Sequence, residues 1–337
     1  MRIAMRIAVR FARGACMLTR SSLSQPRTIS DLLSAQTMRR LDRLDLFSRK
    51  VFAGKLPGER RSKRRGQSVE FDDYRQYVPG DDLRHIDWNV YARLDRMFIK
   101  LFLEEEDLGL HLVVDVSASM EAGDPDKLIF AQQLAMALGY IGLVNNNRVA
   151  VTSFGGDRIQ RLNECRGRRN VQRLGQFLLD APGDHTEQRS TEPGPGADFT
   201  SAMRMVGMRS AGKGVLVVLS DFLLREGFES GLRYLAGRRG WDVYCLQILA
   251  PDEIDPSRAG AEAIAGDLRL TDVETGADAE VTVTAALLEQ YKRSLERYCN
   301  ELASFCTARE MSHALVRTDT EIETLLIDYL RKRGMLQ

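Results

Sequence analysis

The chain has 337 residues, 44% of them hydrophobic and 28% charged, enough material for one large folded domain or two modest ones. No stretch approaches the roughly 20 uninterrupted apolar residues of a membrane-spanning helix, so no membrane span is expected. Five scattered cysteines (Cys16, Cys165, Cys245, Cys299, Cys306) with no CxxC pair, and four dispersed histidines, argue against a disulfide framework or a zinc cluster and fit a reducing, cytoplasmic setting.

The net charge of +1 conceals an asymmetry. Residues 1–100 carry 22 Lys+Arg against 11 Asp+Glu, and the remainder 26 against 36. A basic arm facing an acidic domain, its own or a partner's, gives that pattern.

The opening MRIAMRIAVRFARGACML resembles an export signal only superficially, because Arg2, Arg6, Arg10 and Arg13 break up its apolar run. Residues 1–30 are expected to be a disordered extension, or the product of a start codon placed too far upstream. From 31 to 107 the chain reads as an N-terminal segment packed on the main domain. Leu32, Leu33, Leu41, Leu44 and Phe47 recur at helical spacings between Ser30 and Ala53, with Ser30 as the N-cap. Next come a basic loop (GERRSKRRGQS, 58–68) and an aromatic, charged tract in which Phe98, Ile99, Leu101 and Phe102 suggest a strand.

Residues 108–333 settle into alternation. Apolar runs of strand length stand at 108–116, 148–154, 214–221, 241–249 and 312–317, with a short edge strand at 159–163. Helical patterns fall at 127–144, 170–179, from Thr200, and at 226–238, 285–308 and 321–333. The alternating tract at about 266–284 reads as an inserted hairpin turning at Glu274–Gly276. The fold class is therefore α/β: a mostly parallel sheet flanked by helices, with an N-terminal appendage and one inserted β-hairpin.

Ligands of open parallel sheets bind where loops leave the carboxyl ends of strands. Three such loops carry unusual residues: Asp115, Ser117 and Ser119 in VVDVSAS, Thr200 after a Gly/Pro-rich loop, and Asp221 at the end of GVLVVLSD. Hydroxyls with one or two carboxylates suit Mg²⁺ or another hard divalent cation, which takes about six oxygen ligands and keeps several waters. Because the hydroxyls are neutral, a cation held this way stays electrophilic and can accept a carboxylate from another molecule.

DVSAS resembles the DxSxS motif of von Willebrand factor A domains, whose metal-ion-dependent adhesion site adds a threonine and an aspartate from two further loops. Thr200 in GADFTSAM and Asp221 in VVLSDF match those loops in order and approximate spacing. The resemblance implies a von Willebrand factor A-like (Rossmann-like) fold. Upstream, GERRSKRRGQSVEFDDYRQYVPGDDLRHIDWNVYAR is similar to the signature of the bacterial family catalogued as domain of unknown function 58, as are LRLTDVETG and the closing LRKRG. That family implies a non-enzymatic adaptor or chaperone-like partner of a MoxR-type AAA+ ATPase.

In YVPGDDLRHIDW, Asp81, Asp82, Arg84, Asp87, Trp88 and Arg93 crowd around the Pro79–Gly80 turn. Arg84, Asp87, Trp88 and Arg93 would serve a partner-binding surface. Alternating Asp and Arg instead favour an internal salt-bridge and tryptophan cluster. The alternative function is a metal-dependent hydrolase or nuclease using Asp81, Asp82 and Asp87, but no lysine or histidine is obviously paired with them. Arg60, Arg61, Lys63, Arg64 and Arg65 could contact phosphates, yet the rest of the chain is acidic and no nucleic acid is expected.

Overall fold

A computed structural model gives the architecture. It describes residues 7–10, 26–46, 48, 71–79, 81, 83, 86–102, 108–155, 158–181, 197–209, 212–237, 240–256, 266–272, 278–332 and 335–336. Asp82, Arg84, the basic tract 60–65 and the turn at Glu274–Gly276 lie outside them. The chain divides into two compact units, Met1–Phe52 with Asp107–Gln337, and Ala53–Glu106.

The larger unit is built on a six-stranded sheet. Its strands are β4 (Leu108–Asp115), β5 (Arg148–Phe154), β6 (Gln160–Cys165), β7 (Lys213–Ser220), β8 (Trp241–Leu249) and β11 (Ser312–Arg317), in the order β11-β8-β7-β4-β5-β6. All neighbours are parallel except the edge pair β5–β6. Every residue of β4 and β8 is buried, as the near-continuous apolar runs of a doubly covered sheet require.

Alternate side chains feed two cores. On one face Leu110, Leu112 and Val114 pack with Val215, Val217 and Leu246 beneath helix α4 (Lys127–Val144) and α5 (Val171–Asp180). On the other, Val113, Leu216, Val218 and Cys245 pack beneath α6 (Phe199–Arg209), α7 (Glu229–Arg233) and α9 (Ala285–Thr307).

α4 is buried nearly all round, where its spacing predicted one apolar stripe. Among the described residues it alone is long and apolar enough to cross a membrane, but 83% of it is enclosed by protein, as in a core helix. Asp126 caps it by accepting the N–H groups of Leu128 and Ile129.

Residues 26–48 belong with this unit. Two short helices, α1 (Ile29–Leu32) and α2 (Ala35–Leu41), replace the continuous helix expected from Ser30, and Thr28 and Ser34 take the N-cap positions instead. The extended Leu33 separates them. Tyr140 and Arg168 both bond Asp42, and Asn145 bonds the Leu44 carbonyl.

The hairpin strands β9 (Gly266–Asp272) and β10 (Asp278–Val283) are joined antiparallel by β1 (Ile7–Arg10), a strand inside the region expected to lack order. Helix 226–238 contracts to α7, because Gly227 at φ 83° delays its start and turns follow Arg233. A four-residue helix, α8 (Pro251–Ile254), follows β8. The closing helix is a single turn, α10 (Ile322–Thr324), running into a π-helical turn at Leu325–Leu330.

The smaller unit pairs β2 (Phe71–Gln76) antiparallel with β3 (Phe98–Phe102), with α3 (Trp88–Leu94) between them in sequence. Only β3 was legible beforehand.

Candidate functional site

The sheet order places β5 on one side of β4 and β7 on the other, so β4 lies at the point where the winding reverses. Asp115 ends β4 with no exposed surface. Its Oδ1 accepts the Ser117 N–H at 2.9 Å, closing a tight turn, and its Oδ2 accepts the Ser220 hydroxyl of the adjoining β7 at 2.6 Å. The Ser117 and Ser119 hydroxyl oxygens stand 3.0 Å apart in a buried hydrogen bond.

Gly155, just past β5, makes this packing possible. Its φ is +94°, and a Cβ there would lie 2.7 Å from Ser117 N and 2.9 Å from Asp115 Oδ1. The Gly155 N–H donates to the Ala197 carbonyl at 3.1 Å, drawing in the start of α6.

Phe199 is held in the same way. Its ring packs edge-on against Phe154 at 5.6 Å and Phe222 at 5.9 Å, joining the ends of β5 and β7 to α6. Thr200 follows directly, half-buried in the first turn, while Asp198 accepts the Ser201 N–H.

Asp221 is also without exposed surface. Its Oδ1 accepts the Leu223 N–H at 2.9 Å and its Oδ2 the Lys127 ammonium at 3.0 Å. Lys127 in turn meets Glu253 Oε1 of α8 at 2.5 Å.

Burial pushes the Asp115 carboxyl up, and the charge of Asp221 pushes it further; bonds from Ser220 and Ser117 offset part of this. For Lys127, burial pulls downward, but the charges of Asp221 and Glu253 outweigh it and hold the ammonium protonated.

The structure thus joins Asp115, Ser117 and Ser119 in one turn and brings Asp221 beside them through Ser220. Thr200 is placed by its neighbour Phe199. Ser220, Lys127, Glu253 and Gly155 escaped the sequence reading. Ser220 stands immediately before Asp221 in LSDF, while the other three owe their roles to contacts across the fold. Among the described residues, no group of three or more His, Cys, Asp or Glu side chains could hold a metal, so any cation here would rest on hydroxyls, one or two carboxylates and water.

In the smaller unit, Asp87 is buried and caps α3: Oδ1 accepts the Asn89 and Val90 N–H groups and Oδ2 the Tyr74 hydroxyl. Asp81 accepts from Arg75 and from the Val78 N–H. Both carboxylates therefore hold local structure. Trp88, 60% exposed, packs edge-on against Tyr91, and Arg93 is exposed.

A family model described as protein of unknown function DUF58 matches residues 73–300. Uncharacterized proteins of Mycobacterium tuberculosis and Mycobacterium bovis are each 25% identical over 297 residues, covering 87% of this chain and 89% of theirs. Two solved structures are similar over 68% of this chain and 98% of their own. These are the conserved hypothetical protein BatB from Bacteroides thetaiotaomicron (13% identity, TM-score 0.38) and an aerotolerance-related membrane protein from Bacteroides fragilis (14%, 0.36). Likeness at that level says nothing about what this chain does.

Proposed function

The chain belongs to the DUF58 family, and on that footing we propose that it is a non-enzymatic, metal-dependent protein-binding module with a von Willebrand factor A-like domain. The observation that carries the reading is the buried serine pair. Octahedral ligands about 2.1 Å from a Mg²⁺-sized ion lie about 3.0 Å from one another. The Ser117 and Ser119 oxygens have that separation, next to the buried Asp115.

Asp115, Ser117, Ser119, Thr200 and Asp221, with water, would hold Mg²⁺ or a similar divalent ion. Bound there, the ion supplies an electrophilic position for a partner's carboxylate. The chain's own groups do the positioning: the Ser117 N–H and Ser220 hydroxyl orient Asp115, and the Leu223 N–H and Lys127 orient Asp221. The partner proposed from the family resemblance is a MoxR-type AAA+ ATPase, met in the cytoplasm.

Calorimetry with Mg²⁺ or Mn²⁺ tests the site. At a cation concentration 100 times Kd, wild type should gain about 2.7 kcal/mol of stability. Asp115→Ala should lose that gain while keeping its far-UV circular dichroism. Affinity capture tests the function: the ATPase should be retained with metal and released by chelator. Capture that persists unchanged in chelator and in Asp115→Ala would sink the reading.

A further inference from the structure

Lys127 is 1% exposed, and its ammonium meets only carboxylates among the bonds described: Asp221 at 3.0 Å and Glu253 at 2.5 Å. The start of α4 does not call for lysine there, because Asp126 already caps the helix. A buried ammonium is costly to desolvate and persists where carboxylates compensate it.

The bridge joins three segments at the carboxyl edge of the sheet. Lys127 opens α4, Asp221 follows β7, and Glu253 sits in α8, where its second oxygen accepts the Ala250 N–H at 2.9 Å. The Tyr291 hydroxyl of α9 fixes the Glu253 carbonyl at 2.7 Å. Asp221 is therefore held by a positive charge that belongs to the protein.

That charge also acts on anything bound beside Asp221. With all three carboxyls ionised, Asp115, Asp221 and Glu253 set against Lys127 carry two uncompensated negative charges, which one divalent cation balances. Without Lys127 the carboxylates would repel one another and attract a cation more strongly.

We propose that Lys127 is a tethered counter-cation: it holds Asp221 in place with or without a bound metal, and it weakens the site's affinity so that the metal exchanges. This rests on the reading of Asp115, Ser117, Ser119, Thr200 and Asp221 as a cation site. Lys127 is a positioning residue with an electrostatic effect of defined sign, and the sign separates it from a purely structural part. A structural lysine, once removed, loosens the site and weakens binding. A counter-cation, once removed, strengthens binding.

The test is Mn²⁺ titration of the full chain, followed by calorimetry and by the electron paramagnetic resonance of free Mn²⁺. The variants are Lys127→Gln, Lys127→Met and Glu253→Gln, with Asp115→Ala as the reference for loss of the site. Lys127→Gln keeps hydrogen-bonding capacity without charge and should bind Mn²⁺ at least fivefold more tightly than wild type. Its melting temperature without metal should be lower, and its metal-induced rise larger. Glu253→Gln, which removes a negative charge, should bind several-fold more weakly.

Unchanged or weaker binding in Lys127→Gln, with wild type binding and Asp115→Ala not, overturns the counter-cation and leaves the cation site standing. If neither lysine variant folds, Glu253→Gln decides, and unchanged or tighter binding there overturns it. Wild type binding Mn²⁺ no better than Asp115→Ala removes the cation site, and the counter-cation with it.

Discussion

At Gly155 the backbone bends into a region that side chains disfavour, against atoms that cannot move without opening the Asp115 turn. Gly155→Ala should cost roughly 2 kcal/mol or more, since positive-φ strain adds to a backbone clash. It should appear as a lower urea midpoint with an unchanged slope. A midpoint equal to wild type would mean that the turn and the end of β5 are not locked together.

Legibility at this scale follows distance along the chain. Asp115, Ser117 and Ser119 could be read because five consecutive residues carry them after an apolar strand. Thr200 and Asp221 could be read only through the order of the loops. Lys127 bonds partners 94 and 126 positions away, and at the head of an apolar helix it looks like any solvated terminal lysine. No periodicity encodes such a partnership.

Among the elements, those the sheet buries on both faces announced themselves, because an uninterrupted apolar run has few other uses in a folded chain. The ones that depend on a single side chain did not. α3 starts where Asp87 caps it, and β2 mixes aromatic and charged residues without a period. α4 exceeded expectation, since α2, α5 and the sheet leave it almost no solvent face. Leu134, in its middle, has no exposed surface. Leu134→Ala should therefore destabilise the fold by about 2–5 kcal/mol, through lost burial and the cavity left behind. Chemical denaturation measures this directly, and a loss below about 1 kcal/mol would mean that the surroundings collapse into the gap.

For the molecule as a whole, the carboxyl edge of the sheet dominates the response to pH. Asp115, Asp126, Asp252 and Glu253 are all raised above their ordinary values, by burial first in each case. A carboxyl raised in this way binds more protons folded than unfolded. Its contribution is complete below the unfolded value, 3.8 for aspartate and 4.5 for glutamate, and is lost as pH rises through the folded value. Asp31, Asp81, Asp198 and Glu323 are lowered and pull the other way, but they lie at or near the surface, where solvent screens them. In chelator, these edge carboxyls should make the melting temperature fall as pH rises from about 4 towards neutral. The increase on adding Mg²⁺ should then be larger at the upper end of that range. Calorimetric scans across it, with and without Mg²⁺, would contradict this if the increase stayed constant.

The hydrogen bond from Ser220 to Asp115 joins groups 105 positions apart. A ribosome releases the serine turn long before it has made β7, so the turn must wait for its neighbour strand before Asp115 is fixed from both sides. Competence to hold a cation thus arrives late, with the closing of the central strand pair, and marks a chain that has been made through β7. A chain ending at Arg209 should take up Mn²⁺ no better than Asp115→Ala does, and a partner that waits on the metal would pass over copies that stop short of β7.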